Sequence, residues 1–505
     1  VTARRTPLAL VLGLLLAVCL PRSIAETAPM SPQALTLGRL EAGGNDSGDA
    51  AVKIADFADT ESLVKSLGAD PAQHDLLARH LAVEEAIAGQ PLTSGNKVQL
   101  LENGPNTYVA MFAALRAAKH SIHFESYIFD SDDTGRQFAN LLLKKRQQGL
   151  EVALLVDAVG TVNDSADMFQ KLRDGGVPVT VFHPLNPLHK TSQSYSPDMR
   201  DHRKLLVIDD SVGFTGGINI SSVYSSAPSS RLLRRRKDDD DAEHSSWRDT
   251  HVELNGPAVA ELQRLFLANW RAADGAPLAS QQAGALKPVK LLQKASLPPT
   301  MSDAREVNAK DNGAPTDPGP LDQAVVRIIS EDPAHPDGHE IYSTYLAHLA
   351  TAQHSIDITM AYFVPDPRLM GILEAAARRG VDVKLVLPSF TDSWIVQAAS
   401  RASYQPLLDA GVKIYERRNF MLHAKTAVVD GVWSTVGSSN LDWRSFDLND
   451  EVNAVVLGPK FGQQMSTLFG NDVKHATLVV SSEWRQRALW ERGREQLALL
   501  LQRWL

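Results

Sequence analysis

One arrangement of residues occurs twice in this chain, and it restricts the fold more than any other feature. His202-Arg203-Lys204, four apolar residues and Asp209 return as His423-Ala424-Lys425, four residues and Asp430. Farther on, Gly216-Gly217-Ile218-Asn219 returns as Gly437-Ser438-Ser439-Asn440. The separation is constant: 423 − 202 = 221 and 440 − 219 = 221. Upstream, Ala118-Lys119-His120-Ser121-Ile122 matches Ala352-Gln353-His354-Ser355-Ile356, each opening a strand-like run, His123–Phe129 and Asp357–Val364. Helical patterns follow and stop at Gly149 and Gly380, because glycine ends helices readily, and the runs Val152–Val156 and Val383–Leu387 read as buried strands. Strands alternating with helices predict an α/β fold. The expectation is two α/β/α halves, with mixed, largely parallel sheets flanked by helices, forming a pseudo-dimer.

The rest of the 505 residues divides around these units. Residues 26–95 form an N-terminal extension with helical patterns at Thr60–Leu67 and Pro71–Ala88, 96–270 the first half, 271–322 a linker and 323–505 the second half. Within the linker, Glu306–Pro320 holds three Pro, two Gly and no apolar periodicity. Ser225–Ser246 reads as an insertion in which Arg231, Arg234, Arg235, Arg236 and Lys237 face Asp238–Asp241 and Glu243, which suits a solvated loop. The first half also carries a longer loop, Pro184–Arg200, just before its motif, a candidate substrate rim. Lys plus Arg is 51 against 59 for Asp plus Glu, a formal charge of −8, which argues against a globally basic nucleic-acid binder and leaves a local basic site open; no nucleic-acid partner is expected.

On a strand, residues two apart share a face, so each motif presents His and Lys side by side. The glycine-rich turn that follows lets backbone approach a ligand closely and brings an Asn amide near the Lys. Cleaving a phosphodiester needs a nucleophile, a proton donor to the leaving alcohol and positive groups around the phosphate oxygens. Two imidazoles can share the first two tasks. Lys204, Lys425, Asn219 and Asn440 can supply the third with no metal or cofactor. Aligning Gly256-Pro257 with Gly458-Pro459 places Asp249 and Glu451 at equivalent positions, where each can accept the second N–H of an imidazole. Asp209 and Asp430 read as structural ion-pair partners within the motif.

The doubled HxKxxxxD with GGxN or GSxN resembles the phospholipase D superfamily. It is most similar to bacterial cardiolipin synthases and related phosphatidyltransferases, through Asp201–Asp209, Phe214–Ile220, Tyr127-Ile128-Phe129 with Asp130, Tyr362–Asp366 and Trp247–His251. The resemblance covers about 96–270 and 321–505. It implies that the halves meet at one shared active site with His202, Lys204, Asp209, His423, Lys425 and Asp430 as its catalytic set. It further implies His202 as nucleophile and His423 as acid and then base, an assignment that can be reversed. The implied reaction is transfer of a phosphatidyl group between lipids at a membrane surface, with phosphatidylglycerol as the expected substrate. The alternatives are an exported phospholipase D hydrolase, a phosphodiesterase acting on nucleic acid and an inactive lipid-binding protein. With both halves in one chain, a monomer is expected to suffice.

Arg4 and Arg5 followed by the apolar run Leu8–Leu20 and by Ser23-Ile24-Ala25 read as a secretory signal ending at Ala25. At 1.5 Å per residue the run is about 20 Å long, short of a bilayer core of about 30 Å. Export to the periplasm or the outer side of the inner membrane is the expectation, with Cys19, the chain's one cysteine, as a candidate lipid anchor. At the other end, Ser482–Leu505 mixes Trp484, Leu489, Trp490, Leu497, Leu500, Leu501 and Trp504 with Arg485, Arg487, Arg492 and Arg494. Such a stripe either packs on its own domain or lies in a lipid interface.

Overall fold

The computed structural model describes residues 64, 67–87, 89–161, 166–185, 198–225, 247–278, 321–335, 338–418 and 420–501. The apolar run with Cys19, the boundary at Ala25, most of the linker, the charged insertion from residue 226 on and the centre of the Pro184–Arg200 loop lie outside these residues.

Helix α1 (Pro71–Ala86) precedes the first repeat. The repeat then runs β1 (Leu92–Glu102), α2 (Asn103–Ala117), β2 (Ser121–Ser126), α3 (Asp133–Gln147), β3 (Glu151–Asp157), α4 (Ala166–Asp174) and β4 (Val179–Phe182). It closes with β5 (Lys204–Ile208), β6 (Val212–Gly216), β7 (Thr250–Asn255) and α5 (Ala258–Ala272). The second repeat opens with β8 (Leu321–Glu331), α6 (Glu340–Thr351), β9 (Ser355–Met360), α7 (Pro367–Arg378), β10 (Asp382–Pro388), α8 (Trp394–Ala402), α9 (Tyr404–Ala410) and β11 (Lys413–Arg417). Next come β12 (Lys425–Val429), β13 (Trp433–Gly437), α10 (Trp443–Asp447), β14 (Asn449–Leu457) and α11 (Pro459–Lys474). The chain ends on β15 (Ala476–Leu478), α12 (Ser481–Arg485) and α13 (Leu489–Leu500). The first repeat thus starts at Leu92, a few residues before the expected position 96.

The strands form one continuous sheet in the order β15-β11-β10-β9-β12-β13-β14-β8-β1-β7-β6-β5-β2-β3-β4. The order reads alike outward from the central antiparallel pair β1–β8, where Leu92 faces Arg327 and Val98 faces Leu321. The sheet is mixed: between neighbours in this order, parallel pairing occurs at β2-β3-β4 and β9-β10-β11, where helices supply the crossovers. The motif strands return through short turns, and short turns allow only antiparallel neighbours. They are therefore antiparallel, β5 against β6 and β12 against β13, so the expectation of largely parallel sheets is corrected at the centre of each half. Every residue of β5 and of β12 is buried, as their apolar runs require of strands covered on both faces.

Each half has its own core between sheet and helices. A third cluster under α5 and α11 draws Val98, Val252 and Val259 from one half and Val326, Val456 and Phe461 from the other. The halves therefore share one hydrophobic interior, and the residues they bring to the seam are held in fixed register.

Candidate active site

Two short parallel strand pairs cross the seam and create the site. Arg200–Asp201, leading into the first motif, pairs with Asn449–Asp450, and Met421–Leu422, leading into the second, pairs with Trp247–Arg248. The pairing continues one residue on. The His202 N–H donates to the Asp450 carbonyl at 2.9 Å, and the His423 N–H donates to the Arg248 carbonyl at 2.8 Å. The residue after each carbonyl is an acid, so each imidazole meets a carboxylate from the opposite half. His202 Nδ1 lies 2.9 and 3.0 Å from the two Glu451 oxygens, and His423 Nδ1 lies 2.7 Å from Asp249 Oδ2. An ionised carboxylate only accepts, so each Nδ1 carries hydrogen and each Nε2 keeps its lone pair for chemistry. The sequence identified both acids; the structure shows that each serves the histidine of the other repeat.

Burial raises Glu451, but His202, Lys204 and the Ser438 hydroxyl outweigh it and hold the carboxyl at about 2. Burial pushes His202 down to about 4, with Lys204 and Lys425 adding to the effect and Glu451 opposing it. Burial also lowers His423, helped by Lys425 and Lys204 and opposed by Asp249. Both imidazoles are thus neutral near pH 7. Lys204 and Lys425, stripped of water, fall to about 7 and about 8, and each donates to the carbonyl of its own motif histidine at 2.5 Å. Each lysine acts electrostatically on the histidine of the other half. Two neighbouring buried cations of lowered affinity for their protons form a seat for an anion, which restores their charge on binding.

The surroundings of the two histidines differ. His423 is enclosed by Tyr224, Trp247 and Tyr362, with ring centroids 6.0, 5.0 and 6.5 Å away, and the Tyr224 hydroxyl lies 3.2 Å from its Nδ1. His202 has Tyr127 at 4.9 Å, and the position equivalent to Trp247 holds Asn449 (449 − 247 = 451 − 249 = 202). These aromatics stand singly in the sequence, and only the folded seam gathers them. Asn219 takes the Ile128 N–H at 3.2 Å and donates to the Tyr224 hydroxyl at 3.3 Å, so it braces the wall around His423. Asn440 is buried, and its Oδ1 has no hydrogen-bond partner among the described residues.

Asp209 and Asp430 need correction. They sit at the far ends of β5 and β12 from the histidines, at φ of 51° and 53°, and pair with neither motif lysine. Asp209 accepts the backbone N–H groups of Lys119, His120 and Ser121 at 2.7–2.9 Å. Asp430 does the same for Gln353, His354 and Ser355 and also receives His80 Nε2 at 3.2 Å. The repeated Ala-Lys-His-Ser-Ile and Ala-Gln-His-Ser-Ile segments are therefore the counterparts of the motif aspartates. Their role is to anchor the motif hairpin to β2 and β9, outside the reacting site.

One glycine is dictated by the carboxylate beside it. A Cβ on Gly217 would overlap Asp249, whereas the equivalent Ser438 donates its hydroxyl to Glu451 Oε2 at 2.5 Å. The shorter Asp needs the backbone close, and only glycine leaves that room. Gly217→Ala is expected to displace Asp249 from His423 and lower kcat about 10²-fold with the fold retained. Steady-state turnover beside circular dichroism checks this, and unchanged kcat would contradict it.

A family model described as "Cardiolipin synthase, PLD-like domain" matches residues 111–226 and 345–473. A cardiolipin synthase of Geobacillus kaustophilus is 33% identical over 415 residues, 82% of this chain and 74% of that protein. One from Halalkalibacterium halodurans is 33% identical over 417 residues, 82% and 73% respectively. The crystal structure of a phosphatidylserine synthase of Haemophilus influenzae Rd KW20 shares the fold with a TM-score of 0.57 at 14% identity, over 85% of this chain and 100% of that one. With the domain present twice and identity sustained along most of its length, the chain belongs to the cardiolipin synthase family of phospholipase D-like proteins.

Proposed function

We propose that this chain transfers a phosphatidyl group from one phospholipid to an alcohol on another, making cardiolipin and glycerol from two molecules of phosphatidylglycerol. The observation that carries this reading is the crossed pair of His–carboxylate contacts, which leaves two Nε2 atoms for one phosphodiester. In the first step His202 Nε2 bonds to phosphorus, the bond to the headgroup glycerol oxygen breaks, and His423 gives that oxygen its proton. Lys204 and Lys425 hold the phosphate oxygens as charge builds on them. In the second step the acceptor hydroxyl gives its proton to His423 and attacks phosphorus, and the P–N bond breaks. His423 receives its proton in the bound state, where the entering phosphate anion offsets the lysine charges that lower it in the free protein.

The test is mass spectrometry of lipids from cells that lack their own cardiolipin synthases and express the full chain. Cardiolipin is expected with the wild type and none with His202→Ala. Phosphatidic acid in its place would make the protein a hydrolase. A labelled phosphate trapped on His423 in place of His202 would exchange the two roles.

A further inference from the structure

Helix α13 is amphipathic in the inverted sense. Its inward face carries Glu495 and Ala498, both buried, with Glu495 ion-paired to Arg487. The outward face carries Leu489, Trp490, Leu497 and Leu500, which are 80%, 66%, 61% and 78% exposed, followed by Leu501. At 100° per residue these five side chains fall within an arc of about 120°. Arg492 and Arg494 border the arc on its two sides, and Arg494 stands over the Trp490 ring at 5.8 Å from its centroid. A patch of large apolar groups turned to water is unfavourable unless something covers it.

We infer that this face of α13 seats the protein on the surface of an anionic phospholipid bilayer and so delivers the active site to its lipid. The inference rests on the phospholipid substrate proposed above, which is presented by a membrane. Charge and shape favour lipid as the occupant: leucines enter the acyl boundary, Trp490 lies at headgroup depth, and the flanking guanidinium groups meet phosphates. The helix that carries the patch is also packed beside the site. Ala498 of α13 packs on Val396, Ala398 and Ala399 of α8, in a cluster that includes Val364 and Tyr362. Tyr362 is one of the rings around His423. Trp394, at the start of α8, is a further large apolar side chain left 60% exposed. One face of the mixed stripe thus packs on the protein, and the other is the one assigned to lipid.

The experiment uses the full chain and the double substitution Leu497→Glu/Leu500→Glu. Binding to vesicles of phosphatidylglycerol, followed by flotation and by the blue shift of tryptophan fluorescence, is expected to weaken tenfold or more. Turnover on those vesicles should fall in parallel, while turnover of a short-chain phosphatidylglycerol below its micellar concentration stays at the wild-type level. Arg492→Glu/Arg494→Glu should weaken binding to phosphatidylglycerol vesicles more than to phosphatidylcholine vesicles. Wild-type binding by the leucine variant would overturn the inference. So would a wild-type dimer that the leucine substitutions convert to monomer, since a second copy would then cover the face. Failure of the wild type on the short-chain lipid would instead strike at the proposed reaction.

Discussion

Glu451→Gln is expected to lower kcat by about 10²–10⁴ without unfolding the protein, and Asp249→Asn to do the same through the other histidine. An amide can turn its NH2 towards Nδ1, which then needs a lone pair, and the hydrogen moves to Nε2, where the reaction needs the lone pair. The pH profile separates this from a loss of packing. Glu451 raises both His202 and Lys204 in the folded protein. Without it His202, held at about 4 in the wild type, takes a proton only at lower pH, so the acid limb of kcat/KM moves down. Lys204, at about 7, then loses its proton more readily, so the alkaline limb moves down as well. Both limbs of the variant should shift towards acid together. A fall in kcat with unmoved limbs would show that Glu451 acts by packing alone.

How much of this was legible depended on the range of the interaction. The duplicated His and Lys, the glycine turns and the two acids behind Gly-Pro are local patterns, and repetition separates them from chance. The exchange of carboxylates between halves was not legible, because it depends on Arg200–Asp201 pairing with a strand some 250 positions away (449 − 200 = 249). Asp209 and Asp430 read as structural, and the resemblance alone put them in the catalytic set. Their partners were not legible, because five strand residues at about 3.3 Å each carry them to the opposite end, onto distant backbone N–H groups. The rings around His423 come from three separate segments, and no spacing links them. The N-terminal extension offered a helical pattern from Pro71, but nothing in its sequence announced the cap at Asp70 or what the helix buries.

What it buries supplies the largest expected effect on stability. His80 and Glu84 of α1 enter the second half beside Asp430: His80 Nδ1 lies 2.8 Å from His348 Nδ1, and His348 Nε2 lies 2.8 Å from Glu84. Glu84 also accepts from Trp433 at 2.8 Å and from Arg327 at 2.7 Å. Each Nε2 faces a carboxylate, and the two Nδ1 atoms face each other, so the stacked imidazoles bridge Glu84 and Asp430. Arg327 supplies the buried cation opposite Glu84. Burial, with His80 and Arg327 nearby, lowers His348, and Glu84 opposes it. Glu84→Ala leaves the Arg327 guanidinium and the histidine pair buried without their anion, which costs about 3–5 kcal/mol. Against a total of about 5–15 kcal/mol, that loss detaches α1 or unfolds the half it covers. Burial raises Glu84, but His348 and Arg327 outweigh it and hold the group at about 2, below its ordinary 4.5. Its contribution is therefore complete above pH 4.5 and drains away as pH falls towards 2. Glu84→Gln mimics the protonated side chain, so the stability gap between wild type and this variant, measured by denaturant unfolding, should be full at pH 7 and narrow steadily below pH 4.5. A gap of the same size at every pH would show that Glu84 holds α1 by shape and hydrogen bonding, with its charge contributing nothing.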